Sequence, residues 1–387
     1  LILTKEGYED YQFNIDITEG ENILAPTKLY SEAADLADIP VISLDDTEIE
    51  EDGRDNNVSG LLSASNDVFL STAAFTFGPN RFRIRGYDSQ NTTFQLSGIE
   101  MNDPETGRVF WSIWGGLNDV LRNREISVGL GSTNYSYGGI GGANQIDIRA
   151  TKARAQTRVS YASSNRSYRN RIMGTYSTGL RKDGWAFTIA ASRRWAEEGF
   201  VEGTTYDAYS YFIGIGKRLN DKHELNLTAF AAPTKRGGST ASILEMYDLA
   251  GTNYYNPYWG FQDGKKRNSR VTNSHQPVVI LNHDWKISNK TTLSTAIATQ
   301  FGRYGKTYID WFDGRNPDPT YYRRMPSYIV DPVVSEQVAE KFRTDVNTRQ
   351  IDWAYMYNAN RLNQVSIDNV NGVEGNTVSG LRSNYIL

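Results

Sequence analysis

The chain has 387 residues, 39% of them hydrophobic, with a net charge of −4 and no cysteine. The absence of cysteine rules out disulfide scaffolds, thiol catalysis and thiolate metal sites, and the acidic balance gives no global basic field for nucleic acid. No run approaches the ~18–20 apolar residues a spanning helix needs, which excludes a helical membrane protein but not a β-barrel, whose strands alternate.

The chain starts at Leu1, and we read it as a mature or truncated piece. In residues 1–30, Tyr8, Tyr11, Phe13, Ile15 and Ile17 largely alternate with polar residues, a strand signal. One or two strands do not fold alone, so this stretch reads as the end of a small β domain. Residues 31–57 are acidic and polar apart from Ile39-Pro40-Val41-Ile42-Ser43-Leu44. A β-branched apolar segment in a charged linker fits either an extended peptide that adds to a partner's sheet edge or a short edge strand of the next domain.

Residues 58–150 read as mixed α/β, with helical turns at Val58 to Leu62 and Asn118 to Leu121. Strands are expected at Arg81 to Arg85, Thr93 to Leu96 (closed by Ser97-Gly98), Glu125 to Leu130 and Gln145 to Ile148. Gly129, Gly131, Gly138, Gly139, Gly141 and Gly142 crowd the interval between the last two, giving tight turns and close backbone approach. The stretch Met101 to Trp114 holds Asn102, Asp103, Phe110, Trp111 and Trp114, either a loop whose rings stack on a ligand or one whose rings pack inward.

From about residue 152 the pattern changes to alternating segments of roughly ten residues. Seven are expected: 155–163, 168–181, then strands built on Trp185 to Ser192, Tyr209 to Gly216, Leu225 to Ala231, Val279 to Ile287 and Leu293 to Phe301. Lys182-Asp183-Gly184, Asn220-Asp221-Lys222 and Ser288-Asn289-Lys290 are tight turns. The other connections are long, 233–274 above all, and residues 306–387 form one long external segment rich in Tyr, Arg, Asn and Asp. Short turns on one side and long loops on the other are expected of an outer-membrane barrel; a soluble sandwich has no reason for them. Seven strands do not close a barrel around a domain, since plugged transporters use about 22, so the remaining strands are expected beyond residue 387. His223, His275 and His283 have no ligand spacing, and no catalytic constellation or cofactor motif stands out.

Residues 81–150 resemble the plug of TonB-dependent outer-membrane receptors. The resemblance rests on the run ending Arg85-Gly86, on Phe94 to Ile99 with its Gly98, on Arg124-Glu125-Ile126-Ser127-Val128, on Gly131, on Tyr137-Gly138, and on Ile140-Gly141-Gly142-Ala143-Asn144 with Ile146-Asp147-Ile148. Glu125 directly after Arg124 departs from the family's usual Ile-Glu order. Residues 1–30 are similar to the end of a carboxypeptidase-regulatory-like domain, an extension found in receptors of the Bacteroidetes group. The resemblance implies a mainly β fold: a mixed α/β plug at 58–150, then the first part of a transmembrane antiparallel β-barrel at 151–387. It makes 39–44 a candidate TonB box in the 31–57 linker and pairs Arg85 with Glu125 as plug charges. It implies no enzyme activity and no cofactor. The implied partners are TonB with its inner-membrane energising complex, outer-membrane lipid, an unknown nutrient (siderophore, cobalamin, glycan or peptide) and, in this group, a surface lipoprotein. The alternative is a receptor or adhesin with the same architecture that binds without energised import.

Overall fold

The computed structural model describes residues 2–3, 11–12, 87–121, 124–127, 135–136, 139–163, 165 and 167–387. The candidate TonB box (39–44), Arg85, Gly86, Gly131, Tyr137 and Gly138, and the segments 58–62 and 81–85, lie outside the described residues.

Near the start, β1 (Ile2–Leu3) pairs antiparallel with β2 (Tyr11–Gln12). The next elements form a four-stranded inner sheet from β3 (Thr93–Leu96), β4 (Ile99–Glu100), β5 (Arg124–Ser127) and β6 (Ala143–Ile146). Its order is β4-β3-β6-β5, with β3 and β6 parallel and the other pairs antiparallel. Ser97 (φ 46°) and Gly98 (φ 87°) make the turn between β3 and β4. A 3-10 turn at Asn118–Val120 stands where a helical turn was expected.

The chain then builds a large antiparallel wall. Its strands are β7 (Gln156–Ser163), β8 (Asn170–Ser177), β9 (Trp185–Ala196), β10 (Thr205–Arg218), β11 (His223–Ala231) and β12 (Thr234–Gly237). After an excursion through helix α1 (Leu244–Ala250) and the hairpin β13 (Trp259–Gln262) with β14 (Lys265–Asn268), it continues as β15 (Val271–His275), β16 (Val278–Ser288), β17 (Thr291–Gln300) and β18 (Arg303–Lys306).

Each wall strand follows its neighbour, so β7 through β11 pair in sequence and β16 and β17 complete the row. Above them β12 pairs with β10, β15 with β12 and β18 with β15. The register carries unchanged through the breaks at Ala232-Pro233, Gln276-Pro277 and Phe301-Gly302. Thus β11–β12, β15–β16 and β17–β18 are each one strand interrupted where proline cannot donate to the ladder or glycine relieves a close approach. A Cβ on Gly302 would collide with the His275 carbonyl. This corrects the expectation that 233–274 is wholly a connection, because both of its ends belong to the wall.

The turns follow local chemistry. Asn220 Oδ1 accepts from the backbone N–H groups of Lys222 (2.9 Å) and His223 (3.0 Å), an Asx turn that reverses the chain between β10 and β11. Ser288 Oγ accepts from Lys290 N at 3.2 Å in the turn between β16 and β17.

At the other end the long connections fold into a lobe. Beyond β18 come β19 (Asp310–Trp311), α2 (Pro332–Thr344), α3 (Trp353–Leu362), β20 (Gln364–Ile367), β21 (Val378–Leu381) and β22 (Tyr385–Ile386). Asp331 caps α2 by accepting from Val333 N and Val334 N, with Pro332 at its first position. Met246 and Leu249 of α1 pack with Tyr255, Met325, Ala339 and Phe342 in one apolar cluster. Glu245 accepts from Ser327 N (2.9 Å) and Oγ (2.6 Å), and Ile351 N donates to Trp259 O at 3.0 Å. The 238–270 connection and the 307–387 segment therefore share one core.

Candidate functional site: the inner sheet seated on the wall

The wall has two unlike faces, set by strand alternation. One face carries small and polar side chains with a few rings: Ala186, Thr188, Ala190, Ser210, Phe212, Gly214, Asn226, Thr228 and Phe230. Across four strands, Ala190, Phe212, Phe230 and Val278 stand in register. These four and Ile280 belong to the same buried cluster as Phe94, Leu96, Trp111, Ile113, Trp114, Leu117 and Ile146 of the inner region. The inner sheet is therefore packed onto this face, and the wall's side chains complete its core.

The opposite face is apolar and exposed. Tyr176, Ile189, Ile213, Ala229 and Val279 form one cross-strand row, and Phe187, Ile215, Leu227, Leu281 and Ile297 form the next. Phe212 is 1% exposed and its neighbour Ile213 47%; Ile280 is 0% exposed and Leu281 46%. On β9 the outward face is bounded by Trp185 at one end and Trp195 at the other. Ten residues at about 3.4 Å each, tilted about 45°, span roughly 24 Å, close to the ~25 Å apolar band of an outer-membrane barrel.

Polar contacts fasten the inner region to the wall near the short turns. Arg149 pairs with Asp147 beside it and reaches Asp284 on β16. Ser294 Oγ on β17 donates to the other Asp284 oxygen at 2.6 Å. Burial works against the Arg149 charge, but hydrogen bonding and attraction from Asp147, with attraction from Tyr135 and Asp284, outweigh it and raise its pKa. Asn282 Nδ2 donates to Ser97 O at 2.8 Å, and Thr151 Oγ1 donates to Glu224 at 2.5 Å. The backbone approaches closely here: a Cβ on Gly216 would stand 2.5 Å from both Thr151 Cγ2 and Asn226 Oδ1. Toward the long-loop end, the buried Asp119 meets Thr175 (3.2 Å) and Arg158 (3.4 Å) on β8 and β7.

The residues singled out in sequence are distributed as follows. Asn102 is a brace: its Oδ1 accepts from Phe94 N (2.8 Å), and its Nδ2 donates to Thr92 O (2.9 Å) and Gly107 O (2.8 Å). Asp103 Oδ1 accepts from Thr106 N and Oγ1, each at 2.8 Å, closing the tip of the loop. Those bonds, the backbone one foremost, hold its carboxyl below the usual range. Trp111 and Trp114 turn inward rather than toward a ligand: Phe94 stacks on Trp114 at 5.2 Å and meets Trp111 edge-on at 4.5 Å. Two indoles bury more area by filling the gap between sheet and wall than by facing water, and that decides their direction. Phe110, immediately before them, stays exposed.

Gly141 and Gly142 make a tight return against Asn91, where Gly141 N donates to Asn91 O at 3.0 Å and Gly142 adopts φ 87°. A Cβ on Gly141 would meet Asn91 O at 2.8 Å. At Gly98 a Cβ would stand 3.0 Å from the Tyr135 ring. Asn144 is buried within β6, and Glu125 lies on β5 in register with Gln145. The Arg149–Asp284 pair was missed by sequence reasoning. Its local half was visible in Asp147-x-Arg149, whereas Asp284 lies 135 residues away and no spacing announces it.

Among the described residues no group of three or more His, Asp or Glu side chains could hold a metal, and no helix is long and apolar enough to cross a membrane, which says nothing of strands. His223, His275 and His283 lie on β11, β15 and β16.

The geometry defines a class: an antiparallel wall with an apolar exterior and a folded sheet seated on its other face. No family model and no curated protein matches the chain. Among solved structures, it is similar to the siderophore receptor PiuA from Acinetobacter baumannii, at 14% identity and a TM-score of 0.42, covering 59% of this chain and 31% of that one. The ferripyoverdine receptor of the outer membrane of Pseudomonas aeruginosa matches at 15% identity and 0.41, over 61% of this chain and 31% of the receptor. The ferric-catecholate import receptor Fiu from E. coli matches at 13% identity and 0.42, over 60% and 35%. These neighbours are receptors and import proteins rather than enzymes, and the chain spans about a third of their length.

Proposed function

We propose that the chain is the plug and first barrel strands of a TonB-dependent receptor that imports a nutrient across the bacterial outer membrane, without catalysis. The observation that carries this reading is the inversion across the wall strands. One face holds a folded sheet by packing, while the other exposes rows of Ile, Leu and Tyr bounded by Trp. An apolar exterior of that height is at home in lipid and a liability in water.

In this reading residues 58–150 are the plug and 151–387 the first part of the barrel, with the short turns in the periplasm and the 238–270 and 307–387 lobe outside. Residues 1–30 end a carboxypeptidase-regulatory-like domain of Bacteroidetes type, and the 31–57 linker carries the TonB box at Ile39 to Leu44. A substrate binds from outside, where the half-buried Asp103 and the exposed Phe110 are the candidates for contact and a surface lipoprotein would assist. TonB adds its edge to residues 39–44 and pulls. Arg149–Asp284 then acts as a releasable fastening, because desolvation offsets most of the attraction of a buried pair.

The test is deletion of residues 39–44 in cells that depend on uptake. Transport should be lost while surface binding of the same ligand survives. Undiminished transport would refute the energised mechanism, and retained binding with no transport in the undeleted protein would favour a receptor or adhesin.

A further inference from the structure

The outward face carries cations at both ends of the apolar belt: Lys217 near the short turns and, near the long loops, Arg193 with Lys235 and Arg303 beside it. Near the long loops, Arg193 on β9 is neutralised inside the protein by Asp207 on β10 at 3.1 Å, between the rings of Trp195 and Tyr209. Near the short turns, Lys217 on β10 stands over the Trp185 ring at 4.6 Å and donates to Asp183 O at 2.9 Å. Among the described residues no carboxylate forms an ion pair with it.

Register extends this second position into a polar row. Lys217 lies opposite Trp185 and Leu225, Leu225 opposite His283, and His223 opposite Trp285. The rings of His223 and His283 stack at 5.3 Å, with Nδ1 of one 3.1 Å from Nε2 of the other, and Trp285 stacks on His223 at 5.6 Å. This row lies directly below the apolar row of Phe187, Ile215, Leu227 and Leu281. The adjoining turns expose Arg181, Lys182, Arg218, Lys222 and Lys290 against Asp183 and Asp221. Arg181 already engages Asp183 at 3.0 Å.

A lysine cation facing hydrocarbon is costly unless it reaches headgroup level and meets a counter-charge. Indole rings mark that level. We propose that Trp185, Lys217, His223, His283 and Trp285 form a binding site for the phosphate headgroup of an anionic phospholipid in the leaflet on the short-turn side. Lys217 supplies the charge, the hydrogen-bonded imidazole pair keeps one N–H free to donate, and the two indoles flank the glycerol region. Charge complementarity selects this occupant over a zwitterionic lipid, whereas Arg193 is already paired with Asp207.

The inference rests on the membrane reading above, and the experiment separates the two. The full-length protein is placed in nanodiscs of phosphatidylcholine with or without phosphatidylglycerol, and retained lipid is read by native mass spectrometry after transfer to detergent. Phosphatidylglycerol should be retained in preference to phosphatidylcholine, with retention falling about fivefold in Lys217→Gln. Lys217→Arg should preserve it, and Arg193→Gln at the other belt edge should leave it unchanged. Equal retention by wild type and Lys217→Gln, or an equal loss in Arg193→Gln, overturns the site. Absence of lipid preference in a protein that enters nanodiscs overturns the site and spares the membrane reading. A protein that enters no nanodisc at all overturns both.

Discussion

Phe212 and Ile213 are adjacent residues of comparable apolarity, yet one is sealed against the inner sheet and the other faces outward. Hydropathy does not distinguish these two side chains; what covers them does. The inner face alternates rings with Gly, Ala, Ser and Thr because another folded region must approach it closely. The outer face is mostly large and apolar, with Gly174, Ala191 and Ala229 among its bulkier neighbours, because no folded region has to fit against it. The lesson is that a strand with apolar residues on its exposed side identifies its solvent, whereas small residues on the covered side identify a partner.

The comparison breaks most readily at its core. Trp114→Ala removes the ring stacked on Phe94 and should destabilise the inner region by about 3–5 kcal/mol, measured as lowered denaturant resistance of that region in detergent. Little change would mean that the inner sheet does not depend on this packing. Ile213→Arg sits midway along the outward belt and should cost about 2–4 kcal/mol of bilayer-folded stability, measured as folded yield in liposomes. A neutral result would show that this face does not meet lipid.

Asp284→Asn sharpens the comparison at the seam. Arg149 keeps Asp147 but loses its charged wall partner, so about 1–3 kcal/mol of local protection should disappear from residues 143–152 in hydrogen exchange. Unchanged exchange would remove this pair from the fastening.

The smallest effect lies in the lobe, outside either face of the belt. Glu198 accepts from Lys266 at 2.8 Å and from Gly203 N at 2.7 Å. Burial opposes its charge, but the Lys266 and Gly203 bonds prevail and hold its pKa below the ordinary 4.5. Its contribution is therefore fully present above about pH 4.5 and is lost as pH falls through the lowered folded value. Glu198→Gln should cost below about 1 kcal/mol at neutral pH, since the pair is about a third exposed, and nothing in strong acid. Exchange rates in the 197–204 loop at both pH values would decide it.

The wall was the most legible part of the sequence because strand alternation imposes one pattern on every strand: Ile189, Ile213, Leu227 and Leu281 all fall on the face that alternation assigns. Above the belt that pressure ends. Thr234-Lys235-Arg236 shows no apolar alternation, and Pro233 reads as a stop, so the continuation of β11 into β12 was invisible; neighbouring strands set its register. At the candidate site, Asn102 and Trp111 were noticed for the right stretch, but whether a ring faces ligand or core depends on Phe94 and on wall residues around a hundred positions away. The lobe was legible only as a long polar segment, because Met246, Phe342 and their cluster mates are scattered across two connections.

The interruptions at Pro233, Pro277 and Gly302 stand level with one another on three adjoining strands. Ladder bonds are sparser along that line, with Tyr209 N to Pro233 O and Phe301 N to Pro277 O among those remaining. Such a crease makes bending cheapest at one height. The lobe above it is tied together by its own shared core, so it can tilt as a unit while the part of the sheet below keeps its shape.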